Sequence, residues 1–295
     1  MLQKIKSYMM PVAMLIGLLF YPYMTRLAFL TPYFIFIMLF FTFIKIRWRH
    51  IRLTKLHAWL ILIQVAGSML VYALLLPVDK ILAQGLMVCV IAPTATAAPV
   101  ITGMLKGNVE SLTAYSLLSN IAIVIFAPFI FSLVGKIGDV SYVANALGIS
   151  KSVVLFVFSP LVLAFLTKMF LPKINQKLAA ISGISFWLWS AALAIVTGKT
   201  IAFILQQNSG YATEVALAGG ALVVCILLFV SGKLLGRQYG DTIAGGQGLG
   251  QKNTILAIWM SQTYLHPLSS VAPGMYVIWQ NLFNSWQIWH ARKTL

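Results

Sequence analysis

GGQGLGQKNT (Gly245–Thr254) is the stretch on which the reading of this chain turns. It lies inside an apolar segment long enough to cross a bilayer and carries Lys252 at its centre. A lysine at that depth costs roughly 2.5–3.5 kcal/mol on insertion scales, so it is read first as a functional group. Gly245, Gly246, Gly248 and Gly250 permit unwound dihedrals and close backbone approach. A second apolar segment is interrupted in the same manner at APTATAAPV (Ala92–Val100). There Pro93 and Pro99 each lack an amide donor and free a carbonyl one turn earlier, with small residues between them. In hydrocarbon such backbone is tolerated only where it faces protein or a water-lined cavity. Paired breaks at corresponding positions point to a transport site near the midplane. Small residues and prolines also mark simple close packing or kinks, but the matched positions and the lysine favour transport.

Composition agrees with a membrane setting. Of 295 residues, 60% are hydrophobic and 9% charged, where a soluble domain carries about a quarter charged; mean hydropathy is +0.92. The expected fold is an all-α polytopic membrane protein with spans at about 8–24, 28–46, 56–76, 81–105, 111–135, 152–171, 179–199, 213–235, 240–264 and 270–290. Lys4 and Lys6 before an apolar run imitate a signal peptide, but no small-residue cleavage site follows, so this segment is kept as the first span. The basic linker Lys45–Lys55 resists translocation, which puts both termini in the cytoplasm of a cell inner membrane. Fifteen of the 21 basic residues then fall inside, five outside, and Lys252 within the bilayer. The formal charge of +16 therefore reads as topology, not as a nucleic-acid surface. Cys89 and Cys225 lie in apolar segments without metal-ligand spacing, and no cofactor is expected. No HExxH, GxSxG, P-loop or paired-carboxylate arrangement occurs, which argues against an enzyme.

The polar interval Lys136–Ser152 divides the chain into repeats of five spans, residues 1–140 and 141–295. Five is odd, so the second repeat must run inverted, and the broken spans fall fourth and ninth. Half-helices restarting near Thr96 and near Lys252–Thr254 would aim free amides and positive dipole ends at a shared centre suited to an anionic group. Thr96, Asn253 and Thr254 are the substrate-binding candidates. Glu214 reads as a solvated helix-start carboxylate near the outer surface, and Glu110 and Asp241 as dipole partners at helix starts. His266 falls in an outer turn, and Trp48, Trp286 and Trp289 in the interfacial aromatic belt.

APTATAAPVITGMLKGNVESL resembles the bile acid:sodium symporter family, whose fourth helix carries a crossing motif followed by a turn that Lys106-Gly107-Asn108-Val109 matches. GLGQKNTILAIW and SSVAPGMYVIWQN look like the family's ninth and tenth helices, with Asn253 at the family's asparagine position. The resemblance implies a panel of spans one, two, six and seven, and a core of spans three to five and eight to ten. In it the fourth and ninth helices cross. It also turns Gln280 and Asn281 towards the core, making Gln280 a further substrate candidate. The departures concern sodium. Where the family has a glutamate and a glutamine, this chain has Gly248 and Lys252; where it has sodium-binding serines and asparagine, this chain has Ala98, Pro99 and Leu112. Only Ser116 and Gln64 retain plausible ligand oxygens, and hard cations need several.

A family core with one glutamate and two sodium ions carries one net positive charge; this core carries the same with Gly248, a protonated Lys252 and no ion. Lys252 thus reads as a tethered cation, with Gln64, Gln251, Ser116 and freed carbonyls as candidate acceptors. The expectation is a sodium-independent transporter of a small organic anion in the lipid bilayer, monomeric or homodimeric. A proton-coupled transporter in which Lys252 titrates, and a non-transporting ligand sensor or scaffold, remain the alternatives.

Overall fold

The computed structural model describes residues 2–46, 51–135, 141–206 and 211–293. Arg47, Trp48, Arg49 and Lys136 lie outside the described residues, as do the side chains of Lys4, Lys6, Arg292 and Lys293. Among the described residues the chain is helical without strands. Its helices are α1 (Leu2–Leu19), α2 (Tyr21–Arg26), α3 (Thr31–Phe43), α4 (Lys55–Leu75), α5 (Lys80–Ile91), α6 (Ala98–Met104), α7 (Val109–Gly135) and α8 (Tyr142–Val153). There follow α9 (Ser159–Phe170), α10 (Pro172–Ala180), α11 (Ile184–Leu205), α12 (Ala212–Gln238), α13 (Thr242–Gly250), α14 (Thr254–Tyr264) and α15 (Val271–Lys293).

Among the described residues five helices are long and apolar enough to cross a membrane: Lys55–Leu75, Val109–Gly135, Tyr142–Phe170, Ile184–Leu205 and Ala212–Gln238. The other expected spans are short or interrupted, as α5–α6 and α13–α14 are, or interspersed with amides, as α15 is by Gln280, Asn284 and Gln287. Two expected boundaries move. The helix expected as the sixth span begins at Tyr142, inside the interval read as a polar divider. Ser141 caps it by accepting from the Ala144 amide at 3.3 Å, and Ala146, Ile149 and Val153 form a buried stripe at helical spacing. The polar residues between them occupy the opposite side, which is why the segment reads as a loop. The helix expected as the seventh span begins at Ile184, because Pro172–Ala180 forms a helix of its own.

Helices α1, α2, α3, α9 and α11 pack among themselves, while α4, α5, α7, α12, α13 and α15 form a second group with its own buried cluster around Tyr115, Phe229 and Tyr276. Within that group α13 lies against α12 backbone to backbone: a Cβ on Gly232 or Gly245 would collide with the other's carbonyl oxygen. The turn Lys106-Gly107-Asn108 closes α6 with Lys106 at φ 61° and the Gly107 amide donating to Thr102 at 2.8 Å. Asn108 then caps α7 by accepting from the Ser111 amide at 3.0 Å.

Candidate substrate and ion site

The two interruptions meet. Helix α5 ends at Ile91, and the chain passes through an extended Thr94 and Ala95 before α6 opens at Ala98. Helix α13 ends at Gly250, and α14 opens at Thr254. Between them the segments pair antiparallel through Thr94 and Lys252. The Ala95 amide donates to the Gln251 carbonyl and the Asn253 amide to the Pro93 carbonyl, both at 2.8 Å. Backbone groups that neither helix can satisfy are thus satisfied by the other break.

The glycines act differently from the sequence expectation. Helix α13 runs unbroken through Gly245, Gly246, Gly248 and Gly250, and among the described residues only Gly240 is a glycine with positive φ. These glycines provide room instead. A Cβ on Gly248 would lie 2.8 Å from Tyr115 Cδ1, and one on Gly250 would collide with the Phe229 ring. The unwinding falls on Gln251–Asn253. Likewise Pro93 sits in the first break, whereas Pro99 is in the first turn of α6, where its missing amide is harmless.

Lys252 is 1% exposed. Its ammonium donates to the carbonyls of Val90 at 2.7 Å and Ala92 at 2.9 Å, at the C-terminal end of α5. These carbonyls lack helical partners because Thr94 turns its amide to Ser119 Oγ, at 3.1 Å, and the chain leaves the helix. The carbonyl between them, Ile91, accepts from Gln64 Nε2 at 2.8 Å. A buried cation therefore sits where a half-helix dipole ends and its oxygens converge. Of the acceptors considered from sequence, the freed carbonyls receive the ammonium; Gln64 serves the same helix end, and Gln251 is engaged by Asn284. Ser116 gives its carbonyl to Asn120 Nδ2 at 2.8 Å.

Sequence reasoning named Gln64 and Gln280 but missed the support that Thr94, Tyr115, Ser119, Tyr276, Asn284 and Gln287 give this centre. Gln64 Oε1 accepts from Tyr115 at 2.9 Å and from Ser119 at 2.7 Å. Tyr115 fills the space beside Gly248, the position of the resembling family's glutamate. Thr94 Oγ1 donates to the Gly248 carbonyl at 2.9 Å. Gln280 accepts from the Lys252 amide at 2.8 Å and donates to the Lys252 carbonyl at 3.2 Å, so its side chain clamps the unwound backbone. Tyr276, Gln280, Asn284 and Gln287 share one face of α15. Tyr276 donates to Gly250 at 2.9 Å, Gln247 Nε2 donates to Asn284 Oδ1 at 2.8 Å, and Gln287 donates to the same oxygen at 3.3 Å. The i, i+4 spacing of amides in an apolar span was the available signal.

Thr96 and Asn253 are partly exposed and Ala97 is exposed, whereas Thr94, Lys252 and Thr254 are buried. Thr96, Ala97 and Asn253 thus form the accessible side of the crossing, and the ammonium is buried behind them. The Thr96 and Ala97 amides make no hydrogen bond among the described residues. Asn253 caps α14, accepting from the Leu256 amide at 3.3 Å. Elsewhere, Glu214 opens α12 but is 8% exposed rather than solvated; His266 is exposed and caps the turn at Pro267–Ser270, accepting from Leu268 at 3.3 Å. Asn281 donates to its own helix at Val277, at 2.6 Å. No group of three or more metal-ligating side chains occurs among the described residues.

The family model of the sodium bile acid symporter family matches residues 32–207. A relative from Bacillus subtilis (strain 168), described as an uncharacterized sodium-dependent transporter, YocS, is 25% identical over 218 residues, covering 73% of this chain and 65% of that protein. The chain thus spans just under two thirds of the length of the relative it matches.

Proposed function

Because the chain belongs to the sodium bile acid symporter family, a family of membrane transporters, we propose that it carries a small organic anion by alternating access, with Lys252 in place of a bound coupling ion. The observation that carries this reading is the Lys252 ammonium on the Val90 and Ala92 carbonyls. A permanent cation there offsets the negative end of α5 and leaves one positive charge behind the surface formed by Thr96, Ala97 and Asn253. An anion docked on that surface takes donors from the Thr96 and Ala97 amides and the Asn253 side chain. Gln280 acts as a positioning residue for Lys252.

The architecture proposed around this site is ten spans in two inverted repeats, with both termini cytoplasmic. The antiparallel match of Thr94 with Lys252 supports an inverted relation, since a two-fold axis between the breaks exchanges Pro93 with Gln251 and Ala95 with Asn253, and so exchanges the two hydrogen bonds. The panel would comprise α1–α3, α8, α9 and α11, and the core α4–α7 and α12–α15. Half-helix α14 packs on α3 and α11, where Gln262 donates to the Val196 carbonyl at 3.2 Å and to Thr200 at 3.0 Å. Half-helices α6 and α13 pack instead on α7, α12, α4 and each other. A crevice between the two groups would accordingly open on the side of α6 and α13, the expected cytoplasmic side.

The test is thermal unfolding of the pure protein in sodium, potassium and choline buffers of equal ionic strength. A tethered cation predicts the same Tm in all three; saturable sodium-specific stabilisation refutes it and favours the sodium dependence that the description of the Bacillus relative states. Uptake of a labelled organic acid into proteoliposomes separates a transporter from a ligand sensor.

A further inference from the structure

Helix α10 joins the ends of two helices long enough to cross a membrane, Tyr142–Phe170 and Ile184–Leu205. It therefore lies at a membrane surface, not in the hydrocarbon. The end of α3 is brought to the same place: Lys168 donates to the Ile46 carbonyl at 2.6 Å, and Asn175 of α10 to the Ile44 carbonyl at 3.5 Å. Lys45, Lys173 and Lys177 are exposed there. Residues 44–46 and 166–184 contain no aspartate or glutamate. Beside the bases, Phe170, Leu171, Ile174 and Ile181 are exposed apolar side chains.

We infer that α10 and the adjoining end of α3 form a binding surface for the headgroups of anionic phospholipids in the leaflet they border. The chemistry is complementary on both counts. Lysine ammonium groups donate to phosphate oxygens, and the flanking apolar side chains lie where the acyl chains begin. Lys168 and Asn175 spend their donors on the α3 carbonyls and so anchor the surface, while Lys173 and Lys177 keep theirs for the headgroup. Each base near an anionic surface is worth about 1 kcal/mol, about fivefold in association, and the attraction is screened by salt.

The experiment titrates the delipidated full chain, in a neutral detergent, with phosphatidylglycerol or phosphatidylcholine, reading Tm and the lipids retained in native mass spectrometry. Phosphatidylglycerol should raise Tm and be retained, phosphatidylcholine should not, and high salt should weaken the effect. Lys173→Gln with Lys177→Gln should move the phosphatidylglycerol midpoint about 25-fold higher, and Lys177→Gln alone about fivefold. Both side chains are exposed, so the lipid-free Tm should stay that of the native chain. Arg26→Gln with Lys80→Gln, two exposed bases at the opposite ends of α3 and α4, should leave the midpoint where it was. Equal responses to the two lipids would overturn the inference. So would a Lys173/Lys177 variant that titrates like the native chain, or a midpoint moved equally by the Arg26/Lys80 pair.

Discussion

Replacing Lys252 by Met separates the stability of the crossing from its charge. The ammonium makes two hydrogen bonds, at 2.7 Å to Val90 and 2.9 Å to Ala92. A hydrogen bond to a charged group contributes about 1.5–3 kcal/mol, so the pair contributes about 3–6 kcal/mol. Holding a lysine at this depth costs about 2.5–3.5 kcal/mol, which methionine avoids. The difference leaves Lys252→Met less stable by about 0–3 kcal/mol, a fall in Tm of at most about 10 °C. Anion affinity responds through a separate interaction. From the ammonium, beside Ala92, to an anion at Thr96 is about three residues of extended chain, roughly 10 Å. At that distance and an effective dielectric of about 20, the attraction is about 1.7 kcal/mol, or about 15- to 20-fold in affinity. The assay is isothermal titration of native and variant protein with an organic acid selected from a thermal-shift panel. A folded Lys252→Met protein that binds the acid as tightly as the native chain would refute the electrostatic role.

Four further outcomes follow from the same geometry. Lys252→Arg keeps the charge but offers two converging carbonyls a wide planar fork, so calorimetry should show only partial recovery of affinity relative to Lys252→Met. Asn253→Leu removes the cap on Leu256, lowering stability by about 1 kcal/mol, and should abolish acid binding; Thr96→Trp should do the same to binding with folded yield kept, and retained affinity in both would move the docking surface elsewhere. Gly250→Ala drives a methyl into the Phe229 ring and should cost about 1–3 kcal/mol by denaturant or thermal unfolding, without changing the sodium response. In proteoliposomes, a pH gradient alone should not drive uphill uptake by the native protein; accumulation that requires Lys252 would show that the lysine releases its proton in the cycle.

Much of the architecture was legible because bilayers impose simple rules. Hydropathy located the long helices, and Pro93 with the Lys252 region marked two interruptions, since backbone cannot unwind in hydrocarbon without cause. The motifs Lys106-Gly107-Asn108-Val109 and Gly248–Trp259 were specific enough to point to the family, which residues 32–207 match. The start of the sixth span was not legible, because Ala146, Ile149 and Val153 form a stripe that polar residues interrupt in sequence but not in space.

What the sequence determined by itself was a helical membrane protein with a lysine in its interior and two broken helices, because those features follow from composition and from local backbone chemistry. The tertiary structure decided which atoms the lysine meets. Val90 and Ala92 are 162 and 160 residues away in the chain and become acceptors only when α5 ends beside the second break. It also decided that Gly248 and Gly250 make room for Tyr115 and Phe229 instead of unwinding, and that Gln280 holds the Lys252 backbone. A glycine permits several conformations and an amide several partners. Which one is adopted depends on the neighbours that packing supplies, and local sequence does not contain them.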